Sequence, residues 1–258
     1  MQATLQTLAE ALARSPVRAL AGRAVTLVYP PRCLGCGGLV DSDFGLCATC
    51  WRDTPFIGGL VCDGCGTPLP GLGDGCRVDC DSCLAHPRPW DMARAALIYR
   101  DQARRLVLAL KHGDRTDIAR PAAGWMARAG RDILRPGMIV APVPLHWTRL
   151  ARRRYNQSAL LAAHLARIAG LEMCPDLFRR TMRTPLLEGK SQAARFAVMQ
   201  GAIDAHPRHR HRLAGREVLV VDDVMTSGAT LAATTEAAHA AGAARVCVIT
   251  LARVAKDT

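Results

Sequence analysis

The 258-residue chain contains no apolar run approaching the ~18–20 residues that a membrane-spanning helix needs, which excludes a helical integral membrane protein. Its first twenty residues, MQATLQTLAEALARSPVRAL, lack the early basic region, apolar block and cleavage site of a secretory signal, so a cytoplasmic location is expected. Leu5, Leu8 and Leu12 recur there at helical spacing, and residues 1–30 are expected to form a helical segment. Large apolar side chains are scarce between positions 33 and 83, with Phe44, Trp51, Phe56 and Leu60 among the few. That stretch could hardly build a hydrophobic core of its own. Acidic charge is short in the rest: residues 91–258 carry 27 Lys/Arg against 14 Asp/Glu, whereas residues 1–90 carry 7 against 8. The basic excess suits an anionic ligand, nucleic acid or both, although an Ala/Arg-rich composition alone would give the same sign. Half of the residues are apolar, enough for a real core in one large domain or two small ones.

Nine of the eleven cysteines lie between positions 33 and 83. They form four C-x-x-C knuckles, Cys33/Cys36, Cys47/Cys50, Cys62/Cys65 and Cys80/Cys83, with Cys76 outside the pattern. Eight thiolates at this spacing make two tetrahedral Cys₄ zinc sites, paired most simply in sequence order. A disulfide framework fits neither the spacing nor the missing signal, and a redox C-x-x-C would be expected once rather than four times. An iron–sulfur cluster uses the same ligands and stays open. No His or carboxylate interrupts the sets, so two structural zinc ions are expected, supplying the folding free energy that the segment lacks. Gly37 and Gly66 follow the second Cys of a knuckle, where a tight turn can aim N–H groups at sulfur.

The stretch Glu217–Thr230, EVLVVDDVMTSGAT, carries the other signal. Val218–Val221 is too continuously apolar for a half-solvated strand and suits a parallel strand covered on both faces. Asp222 and Asp223 come where that strand should end. Thr226-Ser227-Gly228-Ala229-Thr230 then leads into a helix over 231–241, capped by Ser227 or Thr226 and stopped by Gly242. A strand over 245–251 completes a β-loop-α-β unit. Unpaired N–H groups at a helix start, three hydroxyls and a glycine make an anion site, while two adjacent acids would repel a bare phosphate. A ligand with phosphate on one side and a diol or hydrated Mg²⁺ on the other satisfies both halves. The loop is neither G-x-G-x-x-G nor a Walker loop with its lysine.

Between these signals, His86-Pro-Arg-Pro89 reads as a stiff junction, 93–99 as a strand and 101–112 as a helix ending at Gly113. Residues 116–134 form a second helical stretch that starts afresh at Pro121. A short strand over 138–141 is ended by Pro142-Val143-Pro144. Arg149, Arg152, Arg153 and Arg154 beside Tyr155 could serve phosphate oxygens, stack on bases or form a solvated helix face. Asn156-Gln157 opens a helix over 158–168. Residues 179–195 read as a mobile loop and 205–212 as a basic turn whose histidines have no partner at metal-binding spacing. Cys174 and Cys247 read as reduced core thiols.

VLVVDDVMTSGAT closely resembles the phosphoribosyl pyrophosphate (PRPP) signature of type I phosphoribosyltransferases. The resemblance implies that Asp222 and Asp223 contact the ribose hydroxyls. It implies that Thr226, Ser227, Gly228, Ala229 and Thr230 hold the 5′-phosphate, and that Val143 and Pro144 occupy the pyrophosphate loop. Lys111, Arg154 and Asn156 complete the PRPP-binding set, with Mg²⁺ accompanying PRPP. From about Cys33 onward the chain resembles the ComF family of bacterial competence-associated proteins. The match rests on the four knuckles, Lys111-His112-Gly113, Val143-Pro-Leu-His146, Arg154-Tyr-Asn-Gln157, Arg183-Thr-Pro185, Arg195 with Gly201-Ala202, and the PRPP motif. It departs at Leu187 and Val198, where the family commonly has Gln and Asn.

That resemblance implies an α/β fold: a type I phosphoribosyltransferase-like parallel sheet flanked by helices, preceded by a small Cys-rich double zinc ribbon. The expected boundaries are 1–30, a helical segment; 31–88, the ribbon; and 89–258, the phosphoribosyltransferase-like domain. The implied work is handling of incoming single-stranded DNA in the cytoplasm, with PRPP as ligand and single-stranded DNA or a DNA-uptake or helicase protein as partner. Three readings follow. An enzyme would drive attack on the ribose C1 as pyrophosphate leaves; a DNA-handling protein would keep the pocket as a sensor or remnant; a scaffold would need no ligand.

Overall fold

The computed structural model describes residues 29–43, 45–73, 75–182 and 191–255. The helix expected within 1–30 lies outside these residues up to position 28, as do positions 183–190 of the expected loop, Leu187 included. Two compact units divide the chain, Met1–Trp51 and Arg52–Thr258.

In the first unit a tight turn follows Cys33, closed by Gly37 N–H donating to the Cys33 carbonyl (2.9 Å), and Arg32 pairs antiparallel with Leu39. Cys47 precedes the short helix α1 (Ala48–Arg52), which buries Cys50, as in the second unit Cys80 precedes α2 (Asp81–Ala85), which buries Cys83.

The second unit is built on a five-stranded, all-parallel sheet of β1 (Met92–Ile98), β2 (Ile139–Pro142), β3 (Glu172–Met173), β6 (Glu217–Met225) and β7 (Arg245–Arg253). Their order is β1-β7-β6-β2-β3, and β4 (Phe178–Arg180) and β5 (Ile203–Ala205) form a separate antiparallel hairpin. Val218, Leu219, Val220 and Val221 are all buried, as a central strand covered on both faces requires. Helices α4 (Ala119–Ala129) and α6 (Gln157–Ala169) pack together over the sheet. Helix α8 (Ala229–Ala240) packs with the hairpin and with α7 (Gln192–Met199), where Val218, Val220, Leu231 and Ile203 share one apolar cluster.

Three expectations shift. The 116–134 stretch is a 3₁₀ turn (Thr116–Ile118) followed by α4, which begins two residues before Pro121 and stops at Gly130, whose N–H closes on Met126 (2.8 Å). Pro121 sits in the first turn, where its missing N–H costs nothing. The strand holding the two acids does not end at them: pairing to β2 stops at Pro142↔Val221, but pairing to β7 runs on through Asp222↔Thr250 to Met225↔Arg253. The helix after it begins at Ala229 rather than 231; Gly242, at φ 93°, follows the Ala241 C-cap as expected.

The outer edge of β1 is covered by the chain that leads into the second pair of knuckles. Ile98 N–H donates to Pro55 O (2.9 Å), Ile57 N–H to Ala96 O (2.9 Å) and Ala93 N–H to Asp63 O (2.7 Å). Pairing this edge removes the open row of donors that would invite another strand. Arg94 locks the arrangement: it is 7% exposed and donates to Asp63 Oδ1 (2.7 Å), with Asp132 on its other side. Removing a guanidinium that leaves buried carboxylate charge unpaired costs about 3–5 kcal/mol. Arg94→Ala is therefore expected to lower the unfolding free energy of this unit, read from urea titration, by that amount, and an unchanged urea midpoint would contradict it.

Candidate functional site

The chain leaves β2 for α6 on one face and leaves β6 for α8 on the other, so the two adjacent strands form a topological switch point. Ligands of open parallel sheets bind outside the carboxyl ends of such strands. At that end β2 gives way to Val143-Pro144, both buried, with Val143 N–H still donating to Val221 O (2.9 Å). One residue beyond Val221 stand Asp222 and Asp223.

The two carboxylates have different partners. Asp223 is 7% exposed, and Lys111 Nζ lies 3.1 Å from its Oδ1. Asp222 Oδ1 accepts from Ser158 Oγ (2.7 Å) and from the Asp223 N–H (2.9 Å). Burial, and then the neighbouring Asp223 charge, push the Asp222 carboxyl up to about 7, against the opposing pull of Ser158 and Lys111. Ser158 is a site residue that the sequence reading passes over; its only signal is its place directly after Asn156-Gln157.

Those amides and Tyr155 act within the fold. Asn156 caps α6, its Oδ1 accepting from Ser158 N–H (3.0 Å) while its Nδ2 donates to Val143 O (3.0 Å). Tyr155 OH donates to Leu110 O (2.7 Å) and Gln157 Nε2 to Lys111 O (3.2 Å). These bonds fix the end of α3 (Asp101–His112), which presents Lys111 to Asp223. Tyr155 is thereby half-buried against α3 rather than offered as a stacking platform. Arg154 is exposed at the left-handed C-cap (φ 66°) of α5 (Trp147–Arg153). Among the described residues no hydrogen bond joins its side chain to the acids or to the 226–230 loop.

The loop itself opens α8. Gly228, not Ser227 or Thr226, takes the N-cap position, at φ 83°; Ser227 Oγ accepts only from Ala229 N–H, at 3.4 Å. The reason is on the far side of the loop: a Cβ at position 228 would lie 2.9 Å from Trp90 Cη2. The first-turn amides of α8 have no partner within the helix and can receive an anion. Three side chains hold the loop from behind. Arg88 Nη1 donates to Ser227 O (2.9 Å), and Arg253 donates to Thr226 O (3.1 Å) and to Thr67 Oγ1 (2.8 Å). Trp90, 2% exposed, packs on Gly228 and donates from Nε1 to Gly64 O (2.8 Å). Gly64 lies inside the Cys62–Cys65 knuckle and Thr67 two residues after it, so this knuckle is part of the loop's support.

The thiols gather as two sets, Cys33, Cys36, Cys47, Cys50 and Cys62, Cys65, Cys80, Cys83, each with sulfurs within 4.8 Å of one another. Cys36–Cys47 and Cys65–Cys80 sulfurs stand 3.8 Å apart, the edge of a tetrahedron with Zn–S bonds of ~2.3 Å. N–H groups of Cys47 and Cys80 point at Cys33 and Cys62 sulfurs (3.2 Å each). Gly37 and Gly66 serve otherwise than expected: their N–H groups close the knuckles on the carbonyls of Cys33 and Cys62 (2.9 and 2.8 Å). The donor sets fit two structural zinc ions, and the exposed Cys76 lies outside both. Cys174 and Cys247 are buried thiols.

Two family descriptions match the chain: a double zinc ribbon domain over residues 24–84 and a phosphoribosyl transferase domain over 156–258. The DNA utilization protein YhgH of Escherichia coli (strain K12) is 30% identical over 234 residues, spanning 88% of this chain and 99% of that protein. Competence protein F of Haemophilus influenzae is 28% identical over 206 residues, spanning 78% of this chain and 87% of its own. A solved adenine phosphoribosyltransferase from Thermoanaerobacter pseudethanolicus aligns over 54% of this chain and 82% of its own, at 16% identity and a TM-score of 0.35. The fold is phosphoribosyltransferase-like, with a double zinc ribbon before it. Among the described residues no helix is long and apolar enough to cross a membrane.

Proposed function

This chain belongs to the ComF family, and we propose that its Arg52–Thr258 unit binds PRPP with Mg²⁺ at the ends of β2 and β6. One observation carries the reading: two adjacent carboxylates and a helix N-terminal loop meet at the switch point of a parallel sheet. In this assignment Asp222 and Asp223 accept from the ribose diol. The α8 amides and the hydroxyls of Thr226, Ser227 and Thr230 hold the 5′-phosphate, and the Val143–Pro144 backbone borders the pyrophosphate. Bound Mg²⁺ supplies charge neutralisation for the pyrophosphate. Asn156 and Ser158 act as positioning residues, one on the Val143 carbonyl and the other on Asp222. Lys111, held on Asp223 at 3.1 Å, is the cation that ligand entry must displace or share.

Calorimetric titration of PRPP, with and without Mg²⁺, tests this. Wild type is expected to bind only with Mg²⁺. Asp222→Asn/Asp223→Asn is expected to lose at least ~100-fold in affinity, at ~1.5 kcal/mol or more for each hydrogen bond to a charged group. The absence of heat and of any thermal shift in zinc-loaded wild type would overturn the assignment.

The physiological role proposed is handling of incoming single-stranded DNA in the cytoplasm; the relatives' names speak, for those proteins, of DNA utilization and of competence. The balance of 27 Lys/Arg against 14 Asp/Glu after position 90 favours a second reading, a nucleic-acid- or protein-binding scaffold with a vestigial pocket. Direct contact with single-stranded DNA would show as a steep loss of affinity with salt; a helicase or uptake protein as partner would not need it.

A further inference from the structure

Away from this cleft, three residues from two distant turns converge. Strand pairing continues past β3 through Cys174, whose N–H donates to Val140 O (2.9 Å), leaving the thiol 2% exposed. The turn that follows presents Asp176. Thirty-three residues later, beyond the β4–β5 hairpin, a second turn is closed by His209 N–H on His206 O (2.9 Å) and presents the His209 ring. His209 Nε2 lies 3.1 Å from Asp176 Oδ2, and Cys174 Sγ lies 3.8 Å from Asp176 Oδ1. One ligand atom from each of the three residues falls within 4.8 Å of the others.

These separations, the sulfur to one carboxylate oxygen and the ring nitrogen to the other, are close to those of ligands sharing an ion. Zinc bonds of ~2.3 Å to sulfur and ~2.0–2.1 Å to nitrogen or oxygen, arranged tetrahedrally, place S and O about 3.5 Å apart and N and O about 3.3 Å apart. A plain His–Asp pair accounts for the 3.1 Å contact; beyond it, the thiol that packs in the apolar cluster turns its sulfur to the same carboxylate, 3.8 Å away. The surrounding charge also fits. Thiolate and carboxylate would neutralise a divalent ion with the imidazole neutral, and Arg212, which donates to Cys174 Sγ (3.2 Å), is itself paired with Glu172. The Arg212 guanidinium, within hydrogen-bond reach of the sulfur, is placed to support a metal-bound thiolate. His206, with its ring centroid 5.5 Å from that of His209, and solvent on the exposed Asp176 side are the two sources of a fourth ligand.

We propose that Cys174, Asp176 and His209 form a third metal site, for zinc or a cation of like preference, that staples the turn after β3 to the turn before β6. The chemistry is N, O and S donation, a set that favours zinc over Mg²⁺ or Ca²⁺.

The test is a count of metal on the purified full chain. Zinc is titrated against a chromophoric chelator, and cobalt(II) serves as a second, spectroscopic probe. Wild type is expected to hold three zinc equivalents per chain at micromolar free zinc, the third adding intensity to the cobalt–thiolate absorption. His209→Ala and Asp176→Ala are each expected to hold two, and retention of those two shows that the knuckles remain folded. Cys174→Ser should lose the added absorption even where zinc is still held weakly. Two equivalents in wild type at ~100 µM free zinc, or a third equivalent unaffected by all three substitutions, would overturn the site.

Discussion

Cys65→Ser is expected to remove the zinc of the second Cys₄ set and to weaken Mg–PRPP binding roughly 100-fold, although Cys65 is no part of the ligand loop. The knuckle it helps to close offers the Gly64 carbonyl to Trp90 (2.8 Å), and Thr67 just after it accepts from Arg253 (2.8 Å). Trp90 is the wall against which Gly228 turns, and Arg253 holds the Thr226 carbonyl from behind (3.1 Å). Without metal the thiols have nothing to hold them at 3.8 Å, and the two anchors lose their partners. At ~1 kcal/mol for each hydrogen bond and a similar amount for loosened Trp90 packing, about 3 kcal/mol is at stake, hence the factor of ~100. Two companion variants sharpen the result. Cys36→Ser removes a ligand of the other set, which belongs to a separate compact unit, and should leave PRPP affinity as it was. Trp90→Phe keeps a ring against Gly228 but drops the N–H donor, and should cost about fivefold. If Cys65→Ser loses its zinc, stays folded by circular dichroism and binds PRPP as wild type does, the knuckle does not hold the loop.

Much of this was legible in residue order, for physical reasons that differ between elements. The knuckles were readable because a metal demands short, repeated spacing. The β6–α8 unit was readable because a doubly covered strand, an acid pair and a Ser/Thr/Gly loop are contiguous. The glycine of that loop is legible as part of an anion site, but the ring behind Gly228 is not: Trp90 lies 138 residues away, and only strand order brings it there. The structural partners of Tyr155 and Gln157 were hidden for a related reason. Polar side chains there suggested ligand contacts, yet Tyr155 and Gln157 are used on the carbonyls of Leu110 and Lys111, aligning a lysine from another helix. Spacing could not pair His209 with Asp176 either, because a hairpin and α7 lie between them. The strand carrying Asp222 and Asp223 seemed to end at them because acids are rare inside sheets; one-sided pairing with β7 makes room for them.

Mg–PRPP affinity is expected to rise steeply with pH up to about 7 and then level off, because the site's carboxylate resists ionisation. Asp222 titrates near 7 in the folded chain, pushed there by burial and by Asp223. An unfolded Asp titrates near ~3.9. The folded state thus holds a proton that the unfolded state has released, so this group's contribution to stability is fully present below about pH 4. It is lost as pH rises toward about 7. A ribose diol needs the ionised carboxylate as acceptor, so binding expels that proton and gains about tenfold per pH unit over the same window. Ligand and pH therefore act in opposite senses on the unit: the free protein loses stability between pH 5 and 7, while the stabilisation conferred by PRPP grows. Because the ligand's 5′-phosphate also titrates, near ~6, the protein's share has to be separated from it. Ser158→Ala does so, since it removes a donor that favours the ionised Asp222 and leaves the ligand unchanged. Its binding curve should shift to higher pH, with affinity at pH 7 about tenfold lower, and the plateau at high pH should be nearly restored. Calorimetry in buffers of different ionisation heat would count the protons directly. A PRPP-induced thermal shift of equal size at pH 5.5 and 7.5, and identical in Ser158→Ala, would show that these carboxylates do not receive the ligand.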